Sequence, residues 1–150
     1  MARKLLMIDD DAGVTKVVAM IAAGLEIEFK ALNRSANAIG VFRDFQPDIV
    51  ILDMIMPGKD GIEVLNEIML SGLPTRIVLT SGLSDGYLRL AEGVAKFHGD
   101  DRTSILRKPF RRQTLVELLN RIGDETPASG TFRGPPAQHA ENVGSDNVYI

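Results

Sequence analysis

Groups that could do phosphate chemistry follow four short apolar runs in this sequence. Three aspartates occupy positions 9–11 after the first run, and Asp53, Thr80 and Lys108 follow three later runs. Carboxylates gathered in one crevice repel each other and favour protonation, unless a divalent cation neutralises them. Oxygen ligands of this kind suit Mg2+, which proteins usually bind together with a phosphate. If the fold brings these groups together, they predict phosphoryl transfer with Asp53 as nucleophile, and with Lys108 and Thr80 binding the phosphoryl oxygens.

The elements that must position these groups alternate between strand-like and helical patterns, which is typical of an α/β fold. The predicted strands are Leu5–Ile8, Ile27–Leu32, Ile49–Leu52, Ile77–Leu79 and Ser104–Leu106. The predicted helices are Val14–Leu25, Ala36–Phe45, Ile62–Met69, Tyr87–Phe97 and Leu115–Ile122. Right-handed crossovers between parallel strands place all the strand ends at one edge of the sheet. In open α/β sheets, ligands bind at that edge.

Composition and charge exclude several other classes of protein. The chain has 150 residues, 45% of them hydrophobic, and no cysteine, so one domain without disulfides, thiol nucleophile or sulfur-ligated zinc is expected. After the basic residues Arg3 and Lys4, a run of only four apolar residues precedes the first aspartates, which is too short for a signal sequence or a membrane span. We therefore expect a soluble cytoplasmic protein with no membrane partner.

The chain changes character after Gly123. Residues 124–150 are rich in proline and glycine and carry the whole formal net charge of −3. Such a segment buries too little apolar surface to offset its ordering entropy. We therefore predict a domain over residues 1–123 and a flexible acidic tail over residues 124–150. The domain itself is neutral and has no basic stripe, so no nucleic-acid partner is expected.

Four motifs carry a family resemblance. They are Ile8-Asp9-Asp10-Asp11, Leu52-Asp53-Met54 with Met56-Pro57-Gly58-Lys59-Asp60-Gly61, Thr80-Ser81-Gly82 and Lys108-Pro109-Phe110. Together they resemble the receiver domain of two-component response regulators, over about residues 3–122. The resemblance implies a doubly wound (βα)5 flavodoxin-like three-layer sandwich. Its central five-stranded parallel sheet would have the strand order 2-1-3-4-5.

The resemblance also implies a role for each site residue. Asp53 would be the phosphoacceptor. Asp10, Asp53 and the carbonyl of Ile55 would bind Mg2+, and Asp9 would bind the metal mainly through water. Thr80 would be the switch hydroxyl, Lys108 would be the phosphate-binding lysine, and Pro109 would follow a cis peptide bond. The phosphodonor would be a histidine kinase or a histidine phosphotransfer protein. The chain would be a signalling protein and not an enzyme, apart from its own phosphorylation and dephosphorylation.

The same resemblance places the output surface on the fourth helix, fifth strand and fifth helix. A downstream effector protein would bind there, and a homodimer is possible. No DNA-binding domain is expected after Gly123, so output would pass through protein contacts or through a downstream domain outside this sequence.

Two positions depart from the usual receiver pattern or bear on its kinetics. Receivers usually carry an aromatic residue three positions before the lysine, and here that position is Ile105. Coupling between an inward-turning hydroxyl and an aromatic flip is therefore not expected.

Ile55 would overlook the phosphoryl group, and an apolar side chain cannot orient an attacking water. We therefore predict slow self-dephosphorylation.

Two alternative functions and one simpler interpretation remain open at this point. Asp9 and Asp11 also resemble the nucleophile and the acid of haloacid-dehalogenase-type phosphatases, although that pattern leaves Asp53 unexplained. A non-phosphorylated pseudo-receiver would keep the fold as an interaction module. More simply, the aspartates at positions 9–11 could only cap the following helix, because aspartate is favoured there.

Overall fold

The computed structural model describes residues 3–82, 85–97 and 102–125. Within this part of the chain, five strands alternate with five helices, and each lies where the sequence predicts one. In chain order they are β1 (Lys4–Ile8), α1 (Ala12–Gly24), β2 (Glu28–Leu32), α2 (Ala38–Phe45), β3 (Ile49–Asp53), α3 (Gly61–Leu70), β4 (Arg76–Ser81), α4 (Asp85–Phe97), β5 (Thr103–Arg107) and α5 (Arg112–Glu125).

The strands form one parallel sheet in the order β2-β1-β3-β4-β5. This order confirms the predicted doubly wound fold. Because β1 and β3 lie side by side, with β4 next to β3 and β5 next to β4, the residues that end these four strands meet at one edge. Asp53 of β3 pairs in register with Thr80 of β4.

Alternating side chains of the buried strands pack into two separate apolar layers. Val50 and Leu52 face the layer beneath α2, α3 and α4, whereas Ile49 and Ile51 face the layer beneath α1 and α5. All four side chains are fully buried. Burying one such side chain contributes about 1.5 to 3 kcal/mol, so the middle of β3 helps to fix the sheet.

Two aspartates begin helices and thereby fix the loops at the functional edge. Asp11 caps α1 by accepting hydrogen bonds from the amides of Gly13 and Val14, at 2.9 and 3.2 Å. Asp60 caps α3 by accepting from the amide of Ile62 at 2.8 Å. A side-chain cap satisfies amides that the first turn of a helix leaves free.

The last helix extends slightly further than the sequence predicts. α5 ends at Glu125, so the helix includes the first two residues of the predicted tail. Residues 126–150 lie outside the described residues, and the flexible tail stays a prediction. Among the helices that the structure describes, none is long and apolar enough to cross a membrane.

Candidate functional site

Four elements of the sheet deliver the predicted site residues to one crevice. Asp9 follows β1, Asp53 ends β3, Thr80 lies in β4 and Lys108 follows β5. Asp9 and Asp53 are only 1% and 5% exposed, whereas Asp10 is exposed at the rim of the crevice. The prediction that these residues share one edge of the sheet therefore agrees with the structure.

Lys108 links the two buried carboxylates. Its Nζ forms an ion pair with Oδ2 of Asp9 at 2.6 Å and donates a hydrogen bond to Oδ2 of Asp53 at 3.3 Å. The backbone amide of Lys108 donates to the carbonyl of Ser81 at 3.2 Å, which holds the end of β5 against β4. The peptide bond between Lys108 and Pro109 is cis, as the resemblance implies.

Burial dominates the electrostatics of Asp53. It raises the pKa of the carboxyl to about 6, against the opposing effects of the Ile55 amide and the Lys108 ammonium, and the neighbouring Asp9 raises it further. For Lys108, burial alone would lower the pKa of the ammonium, but the carboxylates of Asp9 and Asp53 outweigh burial and raise it. The two carboxylates therefore keep Lys108 charged. Burial disfavours the ionised form of Asp53, and a further cation nearby would stabilise that form.

Three carboxylates converge at a spacing suited to a metal ion. Oxygen atoms of Asp9, Asp10 and Asp53 all lie within 4.8 Å of one another. One ammonium, from Lys108, contacts two of these three carboxylates, so the cluster carries an excess of negative charge when all are ionised. An all-oxygen donor set with excess negative charge fits a hard divalent cation such as Mg2+.

The three consecutive aspartates have different roles. Oδ1 of Asp9 accepts a hydrogen bond from the amide of Asp11 at 2.9 Å, which turns this buried carboxylate into the crevice. Asp10 joins the acidic cluster from the exposed side, while the carboxylate of Asp11 caps α1. The capping interpretation is therefore right for Asp11 only. Because that carboxylate is engaged in the cap, the geometry does not favour Asp11 as the acid of a phosphatase.

Thr80 brings a hydroxyl that the described residues leave without a partner. Its side chain is fully buried, and Oγ1 makes no hydrogen bond within the described part of the chain. A buried polar atom without a partner costs about 1 to 3 kcal/mol, so native structures leave few of them. The oxygen of a ligand bound beside Asp53 would supply the missing partner.

The two isoleucines highlighted by the sequence lie in contrasting environments. The amide of Ile55 donates to Oδ1 of Asp53 at 3.2 Å, and its side chain is 40% exposed beside the crevice. Ile105 is fully buried in the layer beneath α2, α3 and α4. An aliphatic side chain in a packed core has no second, exposed position comparable to that of a mobile aromatic ring.

The loop between β3 and α3 packs more tightly than its sequence indicates. Gly58 has a φ of +96°, and a methyl group there would lie 3.4 Å from Oγ of the buried Ser35. Gly61 lies against the backbone of Met54 even more closely. The only signal in the sequence was glycine itself, because close approach depends on a three-dimensional contact.

Comparisons with known proteins agree with this geometry. The family model described as the response regulator receiver domain matches residues 5–120. The chain is 28% identical over 134 residues to the DNA-binding response regulator MtrA of Mycolicibacterium paratuberculosis, covering 85% of this chain and 56% of MtrA. It is 29% identical over 124 residues to the chemotaxis protein CheY of Thermotoga maritima, covering 81% of this chain and 98% of CheY. The chain thus spans about half the length of MtrA.

A solved structure shares the fold. Vibrio cholerae CheY4 superposes with a TM-score of 0.70 at 22% identity, covering 81% of this chain and 99% of CheY4. The matched region contains every predicted site residue, and neither the family match nor the site geometry favours the phosphatase alternative. The chain belongs to the response regulator receiver domain family, whose members act in two-component signalling and are not classical enzymes.

Proposed function

We propose that Asp53 accepts a phosphoryl group from a histidine kinase or a histidine phosphotransfer protein. The observation that carries this proposal is the convergence on Asp53 of one ammonium and two further carboxylates at a strand end. An isolated surface aspartate would offer neither a positive group for the phosphoryl oxygens nor a metal site.

The transfer follows from the positions of these groups. A carboxylate oxygen of Asp53 forms a bond to phosphorus, while the bond from phosphorus to the donor's histidine nitrogen breaks and its electron pair stays on nitrogen. Lys108 binds a phosphoryl oxygen, and the unpartnered hydroxyl of Thr80 donates a hydrogen bond to another. Mg2+ would be held by Asp10, Asp53 and the carbonyl of Ile55, and by Asp9 through water, and it would neutralise the charge that develops on the phosphoryl oxygens.

The output surface is proposed on α4, β5 and α5. Leu90 of α4 is a large apolar side chain that is 57% exposed, which suits a contact with an effector protein or with a second copy of the chain. Because Ile105 is buried and aliphatic, we propose that the signal passes through the hydroxyl of Thr80 and the packing of α4, without an aromatic flip. A phosphoryl group needs only a few kcal/mol of preference for one state to shift such an equilibrium.

The lack of a nucleic-acid partner and the cytoplasmic location stay predictions from the sequence. MtrA is named a DNA-binding protein, but the neutral charge of residues 1–123 gives no reason to propose nucleic acid as a partner of this domain. A cytoplasmic location fits a partner that carries phosphohistidine.

The experiment that tests the proposal is phosphorylation by acetyl phosphate in the presence of Mg2+, followed by the mass of the intact protein. We expect a phosphate adduct on the wild type and none on Asp53→Asn. Asp11→Asn is the matched control, because it also removes a carboxylate but keeps a residue that caps helices well. An adduct on Asp53→Asn, or no adduct on the wild type, would contradict the proposal.

A further inference from the structure

Gly61, the first residue of α3, lies against the backbone of the residue that follows Asp53. A methyl group on Gly61 would lie 2.6 Å from both Cα and the carbonyl oxygen of Met54, and 2.9 Å from its carbonyl carbon. Contacts this short force atoms to move, and here those atoms belong to the backbone and not to a flexible side chain. The missing side chain at Gly61 therefore sets how closely α3 approaches the end of β3.

Met54 has little freedom to move away from such a group. Its amide donates a hydrogen bond to the carbonyl of Thr80 at 2.9 Å, and its side chain is 1% exposed in the layer beneath α2, α3 and α4. A displacement at Met54 would therefore pass into the peptide that joins it to Ile55. That peptide carries the amide that binds Oδ1 of Asp53.

The start of α3 is held from its other side as well. Asp60 caps the helix through the amide of Ile62, and Lys59 forms an ion pair with Glu67 of α3. Both interactions tie the residues that precede Gly61 to α3. The loop is thus fixed at both ends, and the contact between Gly61 and Met54 is where the two ends meet.

We propose that Gly61 is a positioning residue for the metal site. By allowing α3 to lie against Met54, it sets the orientation of the peptide that joins Met54 to Ile55. That orientation places the Ile55 amide, which donates a hydrogen bond to Asp53, and the Ile55 carbonyl. The inference rests on the proposed function, in which that carbonyl is a Mg2+ ligand. It adds that a residue with no side chain and no contact with the metal controls metal affinity.

The test is a calorimetric titration of Mg2+ into the wild type and Gly61→Ala, together with their denaturant unfolding curves. We expect the dissociation constant for Mg2+ to rise about 10-fold or more, the usual effect of disturbing groups that orient metal ligands. Gly72→Ala is the matched control, because Gly72 has a φ of +70° in the connection between α3 and β4, at the opposite edge of the sheet. It should lose stability and keep its affinity for Mg2+.

A stabilised background ensures that Gly61→Ala can be measured. Gly24 and Gly93 lie in helices with nothing within 4 Å of an added methyl group, so Gly24→Ala and Gly93→Ala should stabilise the fold without touching the site. Equal affinities of Gly61→Ala and its parent would overturn the positioning role. Failure of Gly61→Ala to fold even in this background would overturn it too, because the role would then be in folding alone. If the wild type binds no Mg2+, the proposed function fails first, which is a separate result.

Discussion

The middle of β3 and its carboxyl end are equally buried, yet they differ in how they contribute to the fold. Residues 49–52 are apolar and fully enclosed by the two core layers. Asp53, the next residue, is 5% exposed, and burial raises the pKa of its carboxyl to about 6. The same contrast holds along β4, where the fully buried Leu79 precedes Thr80, whose hydroxyl has no partner among the described residues.

This difference shows that the polar groups that need a ligand lie towards the carboxyl ends of β3 and β4. Burial of apolar side chains stabilises the strands, whereas burial of a carboxylate or an unpaired hydroxyl opposes folding. The apolar middle of the sheet is what allows the polar end to persist. We infer that the site is arranged for the metal-bound and phosphorylated states. Without a bound metal ion or phosphoryl group, its buried negative charge destabilises the folded protein.

The largest effect is expected from removing the only ammonium that contacts Asp9 and Asp53 in the described residues. Lys108→Met leaves Asp9 buried without its counter-ion, and breaking such a pair costs about 3 kcal/mol or more. We expect that loss in urea unfolding without Mg2+, with part of it restored by Mg2+. Phosphorylation by acetyl phosphate should slow about 100-fold.

Lys59→Met is the control for Lys108→Met. Lys59 also pairs with an acid, Glu67, but both side chains are 28% exposed, so its loss should cost less than about 1 kcal/mol. Equal losses for the two lysine variants would contradict the contrast between the site and the surface.

Adjacent residues of β3 should give effects of opposite sign. Leu52→Ala removes a fully buried side chain and should lower the free energy of unfolding by about 2 to 5 kcal/mol. Asp53→Asn should raise it by about 1 to 2 kcal/mol at pH 7 without Mg2+, because the folded state disfavours the charged carboxyl.

The gain from Asp53→Asn should depend on pH with a defined sign. The pKa of Asp53 is raised in the folded state, so the wild type loses stability relative to the variant as pH rises from about 4 through about 6. Below that window the carboxyl is protonated in both the folded and the unfolded protein, and the difference should vanish. A gain that is constant from pH 4 to pH 8 would show that burial of charge is not its cause.

A smaller effect, on the amount of phosphorylated protein, is expected from replacing Thr80, and Thr103 provides the control. Both have buried Oγ1 atoms with no hydrogen-bond partner among the described residues, but Thr103 begins β5 at the opposite edge of the sheet. Neither threonine-to-valine change should lower the free energy of unfolding, because no hydrogen bond is lost and a buried hydroxyl without a partner is removed. Only Thr80→Val should lower the amount of phosphorylated protein at steady state. Equal phosphorylation of Thr80→Val and Thr103→Val would remove the proposed role of the Thr80 hydroxyl.

The smallest expected effect on stability concerns the exposed side chain beside the crevice. Ile55→Asn should leave the free energy of unfolding nearly unchanged, because Ile55 is 40% exposed. It should shorten the lifetime of the phosphoryl group severalfold, since a polar side chain there can orient water. The decay of the phosphate adduct in the presence of Mg2+ measures this, and a lifetime as short in the wild type as in the variant would contradict the predicted slow self-dephosphorylation.

The sequence predicted the middle of the strands better than their ends. Apolar runs such as residues 49–52 report burial directly, so all five strands could be predicted before their packing was known. The order of the strands came from the family resemblance, since periodicity carries no information about neighbours in a sheet. The end of α5 at Glu125 was missed because helix ends depend on local hydrogen bonds that composition does not show.

The ends of the strands required three-dimensional contacts. By residue type alone, Asp9, Asp10 and Asp11 are equivalent, and only the family resemblance assigned Asp9 and Asp10 to a metal site. The backbone turn after β1 makes one buried, one exposed and one a helix cap. In sequence, Gly61 is only the last residue of a motif, whereas its close packing against the backbone of Met54 depends on the fold. The residues that meet at the crevice could be predicted from the sequence, but which of the neighbouring aspartates is buried, exposed or a helix cap could not.

The central claim is that the phosphoryl group forms an acyl phosphate on Asp53. Borohydride reduces an acyl phosphate and so marks the aspartate that carried it, and the marked residue can be found by peptide mass spectrometry after treatment with acetyl phosphate and Mg2+. The account predicts that the mark lies at position 53 and is absent when Mg2+ is removed by a chelator. A mark at Asp9 or Asp10, or no mark on any aspartate of the phosphorylated protein, would contradict it.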